Sequence, residues 1–177
     1  MKPWGDRFEL KHMTPDALTQ LVQSLRTIHI KGRYVHCDIR PSNVVVADSE
    51  IVLVDWACAE QIDEVQQWAG SIETIDTATL NNMIAGKPVK RTAAIDLHCL
   101  LCTCLLIVLP PSAQNMASQL TSAPAYRNRL GSLWQYIFNI TGTKRAVDLA
   151  KACDYDGLLS QLISICERAS EFESLAL

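Results

Sequence analysis

The segment from Tyr34 to Ala57 constrains this 177-residue chain more than any other. Two short β-branched runs, Val44-Val45-Val46 and Ile51-Val52-Leu53-Val54, flank the turn Ala47-Asp48-Ser49-Glu50. Such runs bounded by turn residues predict a small β-hairpin. A hairpin returns the end of its second strand to a place beside the start of its first. Asn43 stands just before the first run, Asp55 just after the second, and Asp38 five residues upstream of Asn43. The pattern therefore gathers three oxygen-bearing side chains at one end of one hairpin.

Those groups suit phosphoryl transfer. Oxygens from Asn43 and Asp55 could hold Mg²⁺ together with the phosphates of a nucleotide, because Mg²⁺ takes few protein ligands and keeps phosphate and water oxygens. Asp38 could accept a proton from an attacking hydroxyl, and Arg40 could offset charge on the transferred group. The bland alternative is that Asp and Asn simply favour turns.

The rest of the chain predicts a mainly helical body. Thr14-Pro15-Asp16 is a helix start, with Thr14 as cap, Pro15 in the first turn and Asp16 at the positive end of the dipole. Leu18, Leu21, Val22, Leu25 and Ile28 recur at helical spacing, and Lys31-Gly32 closes the helix. Residues 1–13 look irregular, and residues 60–93 show no strong period. An apolar helix is predicted at 95–109, closed by Pro110-Pro111. Further helices are predicted near 126–140, 144–153 and 156–172, with Asp154-Tyr155-Asp156 capping the last.

Bulk properties exclude some classes. The net charge of -3 gives no basic field for nucleic acid. The longest apolar stretch, Cys99 to Leu109, falls short of the ~20 residues a bilayer span requires. Seven cysteines, an odd number lying partly inside apolar runs, predict free buried thiols in a reducing compartment. Cys99, Cys102 and Cys104 share one apolar helix with no second cluster, which favours buried thiols over a metal site. The expected location is intracellular, unless the protein is delivered as an effector.

The sequence His36-Cys37-Asp38-Ile39-Arg40-Pro41-Ser42-Asn43, followed by Asp55-Trp56-Ala57, resembles the protein-kinase catalytic loop and the D-F-G motif after it. The resemblance implies that Asp38 is the catalytic base, that Asn43 and Asp55 are metal ligands, and that Arg40 takes the place of the phosphate-contacting Lys. It implies ATP and Mg²⁺ as cofactors, and a structural role for His36 beneath the loop. Trp56 would fill a core slot. Ala94-Ile95-Asp96-Leu97-His98-Cys99-Leu100 resembles the start of the central buried helix, whose Asp96 would brace the catalytic loop. Gly70-Ser71 sits where kinases place Gly-Thr on the substrate side. Trp4-Gly5-Asp6 looks like the end of the hinge, where Gly5 and Asp6 would lie against the nucleotide. The phrase Asp-Ile-Arg-Pro-Ser-Asn is similar to kinase-like domains of fungal and oomycete proteins, including Crinkler-type effectors.

The implied fold is mainly α (α+β): one kinase C-terminal lobe over 1–177, with a hinge-like segment at 1–13. The catalytic and metal loops occupy 34–57, an activation- and substrate-loop-like segment 58–93, and a helical subdomain 94–177. Departures matter as well. Cys37 replaces the Arg that answers an activation-loop phosphate, Ala57 replaces Gly, and Thr77-Ala78-Thr79 stands near the place of Ala-Pro-Glu. No G-x-G-x-x-G loop or V-A-I-K strand occurs, and the residues before the first helix are too few for an N-terminal lobe.

Three functions follow from the resemblance. One is a protein Ser/Thr kinase whose N-lobe comes from a longer chain or a partner. The second is a non-catalytic lobe mimic that binds a kinase or another protein. The third is a small-molecule phosphotransferase of the aminoglycoside or choline type, which also places Trp after the second Asp. Lys87, Lys90 and Arg91 are expected to form a solvated loop, or a docking patch for substrate. Trp134, Tyr136 and Phe138 are expected in the core.

Overall fold

A computed structural model describes residues 5–122 and 127–172. The described part is mainly helical, with three small antiparallel sheets. The central strands are β3 (Val44–Ala47) and β4 (Glu50–Leu53), paired in the register Val44↔Leu53 and Val46↔Ile51. Asp48 and Ser49 both take positive φ, the backbone a two-residue hairpin turn demands.

Residues 5–13 are more ordered than their sequence suggests. β1 (Asp6–Arg7) adds a third strand, pairing Asp6 with Val46 and Arg7 with Val45. A two-residue strand is too short to leave any periodic signal in the sequence. Phe8 then drops into the core, 1% exposed.

Helix α1 (Pro15–Thr27) begins as predicted, with the Thr14 Oγ1 accepting the Ala17 N–H at 3.2 Å. Its stripe of Leu18, Leu21, Val22 and Leu25 is buried, each residue worth about 2 kcal/mol of transfer energy. The end differs from expectation. The helix widens into a π turn at Ile28–Gly32 and closes on Arg33, whose φ is 61°, rather than on Gly32. The wide turn accompanies a buried His29, one helical step beyond Leu25 on the same stripe.

Segment 60–93 carries local structure despite its weak pattern. β2 (Tyr34–Val35) pairs with β5 (Glu60–Gln61), and β6 (Val65–Gln66) pairs with β7 (Val89–Lys90). Between β6 and β7 lies α2 (Thr77–Ile84), capped by Asp76, which accepts the Ala78 and Thr79 N–H groups. Thr77-Ala78-Thr79 is thus a first helical turn. Lys87 is exposed in a loop as expected, whereas Lys90 is exposed on β7 and Arg91 is only 1% exposed. Its guanidinium lies 5.0 Å over the Trp68 ring and donates to the Gln67 and Val89 carbonyls. Carbonyl acceptors and an aromatic face substitute for the water a buried cation loses.

The core is built around α3 (Ala93–Val108), apolar on nearly every face as a helix covered on all sides must be. Cys99, Cys102 and Cys104 are buried in it, and burial pushes the Cys104 thiol up to about 12. α4 (Pro111–Ser122) follows at once. The proline pair, read as a terminator, also starts this helix, because proline at the first helical position loses no hydrogen bond. α5 (Arg127–Ile140), α6 (Lys144–Lys151), α7 (Tyr155–Glu167) and α8 (Ala169–Phe172) complete the body. Asp154 caps α7 by accepting the Gly157 N–H. Trp134 and Phe138 are buried, whereas Tyr136 is half-exposed and outside the core. No helix among the described residues is long and apolar enough to cross a membrane.

Candidate functional site

The hairpin does bring the ends of its strands together. The Val54 N–H donates to the Asn43 carbonyl at 3.0 Å, so Asp55 follows directly on a residue bonded to Asn43. Asp38 is buried on the same side. Its Oδ2 accepts from the Asn43 Nδ2 at 2.7 Å, and that amide also reaches the Asp38 carbonyl at 2.9 Å. Its Oδ1 accepts the Ser71 N–H at 2.8 Å. Each carboxylate oxygen has capacity for a second donor, so Asp38 is oriented without being saturated. Arg40 places its Nε 3.5 Å from Asp38 Oδ2, an ion contact without hydrogen-bond geometry that leaves the buried Nε unpartnered.

The loop is fixed from below by Asp96, which is fully buried. Its carboxylate accepts the His36 N–H at 2.6 Å and the Cys37 N–H at 2.9 Å. His29 Nε2 lies 3.0 Å from the same carboxylate, and His29 Nδ1 lies 2.9 Å from the Tyr155 hydroxyl. These contacts hold Cys37 at φ 64°, a left-handed conformation costing a non-glycine residue about 1 to 3 kcal/mol. The Cys37 thiol is pushed up to about 12 by burial, with the Asp96 charge adding to it. His36 is itself buried, and its Nε2 lies 3.0 Å from the Val54 carbonyl, tying the loop to the strand that leads into Asp55.

A second segment locks the loop from the side. Gly70 packs so closely that a Cβ there would lie 1.9 Å from the Cys37 carbonyl oxygen. Only glycine permits that approach, and it is what brings the Ser71 N–H onto Asp38. Thr74 and Thr103 both donate to the Ile39 carbonyl. The Trp134 indole holds the Glu73 carbonyl at 2.8 Å. Burial raises the Glu73 carboxyl while Arg40 and Arg7 lower it, so an acidic group faces both cations beside the loop. A recess of about 200 Å³ lined by Arg7, Pro41, Ser42, Glu73 and Leu106 opens there. A depression of about 700 Å³ between α1 and β4 is lined by groups such as Gln20, Gln23 and Glu50 and holds none of the residues above.

The outer part of the site is exposed. Asp55 takes φ 62° and stands in solvent. Asp38 and Asp55 both raise the Cys58 thiol, after burial itself, which puts the two carboxylates within electrostatic reach of one sulfur. Trp56 does not fill a core slot. It is 40% exposed, its ring tilted on His36 at 4.5 Å and its indole N–H donating to the Leu53 carbonyl. The left-handed turn at Asp55 sends the chain into a short surface helix, Trp56–Cys58, instead of into the interior. Gly5 packs against β3. A Cβ there would lie 2.5 Å from the Val46 carbonyl oxygen, so its bare α-carbon is used against β3. Asp6 is exposed on β1, and Trp4 lies outside the described residues.

The donor set fits Mg²⁺ with a nucleotide's phosphates. Both Asn43 Nδ2 bonds run to Asp38, which leaves Asn43 Oδ1, touched by the Ser42 hydroxyl at 3.3 Å, as the amide's remaining acceptor. Asp55 supplies a solvent-facing carboxylate with no ion pair among the described residues. Among the described residues no group of three His, Cys, Asp or Glu could hold a metal alone. A cation here would therefore draw its other oxygens from a ligand and water, as Mg²⁺ prefers.

Four contributors lie outside the residues that the sequence assigns to the site. Ser71 was placed on the substrate side without its bond to Asp38. His29 carried a signal, since Leu25 plus four falls on the buried stripe. Glu73 and Cys58 carried none, because only tertiary packing brings them to the loop.

No family model matches the chain, and no curated protein matches it. Among solved structures the chain is similar to the Cydia pomonella Granulovirus kinase, PK-1, at 14% sequence identity and a TM-score of 0.42. The similarity covers 57% of this chain and 34% of that one.

Proposed function

We propose that this chain provides the catalytic-loop half of a protein-kinase-like site, transferring the γ-phosphoryl group of ATP to a protein Ser or Thr hydroxyl. The observation that carries the reading is the Asp38 carboxylate, oriented by Asn43 Nδ2 and the Ser71 N–H on a loop pinned by Asp96. Asp38 accepts the proton of the attacking hydroxyl. Arg40, beside it, offsets charge on the transferred group. Asn43 Oδ1 and Asp55 would hold Mg²⁺, which would neutralise phosphate charge when bound. Gly70-Ser71, which resembles the Gly-Thr that protein kinases place on the substrate side, packs onto the loop through the Ser71 N–H, and this favours a polypeptide acceptor over a small one. The 177 residues carry no Gly-rich loop and no V-A-I-K lysine, so residues beyond them, or a partner, supply the phosphate clamp.

That same lack favours a second reading, a non-catalytic module that binds a kinase or another protein. Two measurements separate them. Calorimetry with Mg²⁺-ATP detects a micromolar nucleotide complex under the first reading and none under the second. Phosphoryl transfer to protein, assayed with the clamp-bearing segment or partner present, is abolished by Asp38→Asn while nucleotide binding persists. Undiminished transfer by that variant would remove Asp38 from the chemistry.

A further inference from the structure

The Ser71 N–H that orients Asp38 belongs to a residue that is itself held from behind. Trp68, three residues upstream, turns its indole back onto Ser71, and its Nε1–H donates to the Ser71 carbonyl at 3.1 Å. The N–H and C=O of Ser71 flank one α-carbon. Trp68 therefore holds one side of this residue while Asp38 takes the other, at 2.8 Å. The Ser71 Oγ is engaged as well, accepting the Glu73 N–H at 3.2 Å. Gly70 makes room for the ring, since a Cβ there would lie 3.0 Å from Trp68 Cζ2.

Arg91 fixes the indole from its face. Its guanidinium lies 5.0 Å over the ring, and its Nη2 donates at 2.7 Å to the carbonyl of Gln67, the residue before Trp68. Its main chain is held too. The Arg91 N–H donates to the Glu64 carbonyl at 2.7 Å, and the Arg91 carbonyl accepts the Asp63 N–H at 2.9 Å. One residue just after β7 thus grips both ends of the stretch that leads into Trp68. The guanidinium is bonded to carbonyls and stacked on a ring, and its buried Nε has no partner. An apolar residue of similar length would fill this space without a buried charge or an orphaned donor. Packing alone therefore does not account for an arginine here, whereas its hold on the indole does, because cation–π attraction is strongest where water is excluded.

We propose that Arg91 and Trp68 are positioning residues for Asp38 and act through Ser71. The cation holds the indole, the indole holds the Ser71 carbonyl, and the Ser71 N–H sets the plane of the Asp38 carboxylate. The role rests on Asp38 being the proton acceptor proposed above, and neither residue touches the reacting atoms. Asp38 takes the Ser71 N–H on Oδ1 and the Asn43 amide on Oδ2. With both donors the carboxylate is pinned at two points. With Asn43 alone it turns about a single bond. A misplacement of about 1 Å, even one caused far from the chemistry, costs on the order of a hundredfold in rate.

The test follows Ser71 and Asn43 by ¹H–¹⁵N NMR in the chain alone, without nucleotide or acceptor, in Trp68→Phe, Arg91→Met and Arg91→Lys. Phe keeps a ring and loses the N–H, Met keeps the length and loses the charge, and Lys keeps the charge. In Trp68→Phe the Ser71 amide loses about tenfold of its protection from hydrogen exchange, as loss of one buried hydrogen bond predicts. The Leu100 amide in the middle of α3, which reports global opening, keeps its protection. The Asn43 side-chain NH₂ signals move as Asp38 turns. Arg91→Met loosens Ser71 to a similar extent and frees the Trp68 indole N–H, and Arg91→Lys restores both. Unchanged Ser71 protection in Trp68→Phe, or unmoved Asn43 signals, would overturn the positioning role. An equal loss at Leu100 would make Trp68 a packing residue only. Equal behaviour of the Met and Lys variants would remove Arg91 from the chain of contacts. With the phosphate clamp supplied, Trp68→Phe lowers kcat about tenfold at an unchanged KM for ATP, and a raised KM at unchanged kcat would refute the positioning of Asp38. A parent protein that transfers no phosphoryl group would sink the catalytic reading, and the Ser71 and Asn43 signals would still decide whether Trp68 and Arg91 orient Asp38.

Discussion

Replacing Asp96 by Asn probes the link between the core and the loop 36–43. The carboxylate accepts two backbone N–H groups, from His36 and Cys37, and lies 3.0 Å from His29 Nε2. An amide of the same shape offers one oxygen. Placed at Oδ2, that oxygen keeps His36 and His29 while its NH₂ confronts the Cys37 N–H. One buried donor is then unsatisfied, costing about 1 to 3 kcal/mol, and two charge-assisted bonds become neutral ones, each weaker by about 1 kcal/mol. The expected loss is about 3 to 5 kcal/mol, a large share of the stability of a typical domain. Urea unfolding followed by circular dichroism measures it as a fall in midpoint at unchanged slope. In a domain of this size the melting temperature should drop by about 10 °C. The Cys37 amide should also lose its protection from hydrogen exchange. A loss below about 1 kcal/mol, with Cys37 still protected, would mean that Asp96 does not hold the loop.

Gly70→Ala drives a methyl group into the Cys37 carbonyl, 1.9 Å away, so the two segments part. Stability falls by about 2 kcal/mol or more, and the Ser71 amide exchanges freely once its bond to Asp38 is lost. In alkali, the thiols of Cys37 and Cys104 keep their protons to about 12 in the fold but lose them near 9 when unfolded. Stability is therefore full below about pH 9 and falls towards pH 12 by about 1.4 kcal/mol per unit for each thiol. Denaturant midpoints across that range test it, and Cys104→Ala should flatten the slope. In acid, His98 stays neutral to about 4 while the unfolded ring protonates near 6.5. Its share of stability is present above 6.5 and drains as pH falls to 4. Its ring signals should not titrate between pH 8 and 5.

Much of the site was legible in the sequence. The two β-branched runs and their turn foretold the hairpin, because a two-residue turn between strands leaves a strong local signal. Thr14-Pro15-Asp16 and Asp154 foretold helix starts, because capping is decided within one turn. The resemblance of Ala94–Leu100 pointed to Asp96. What failed was what depends on distant partners. Arg91 reads as a surface cation until Trp68 and two carbonyls are packed around it. Trp56 reads as a core residue until the left-handed Asp55 turns it outward.

The chain's own order of residues settled where its helices start, where the hairpin turns, and that Asp38, Asn43 and Asp55 share one end of it, since each follows from bonds and sterics over a few neighbours. It could not settle which way each polar group points once buried. That choice belonged to tertiary packing. Gly70 meeting Cys37, Asp96 taking two loop amides, and His98 packing on Phe138 join residues far apart in sequence. A buried donor or acceptor is satisfied only by whatever the finished fold sets beside it.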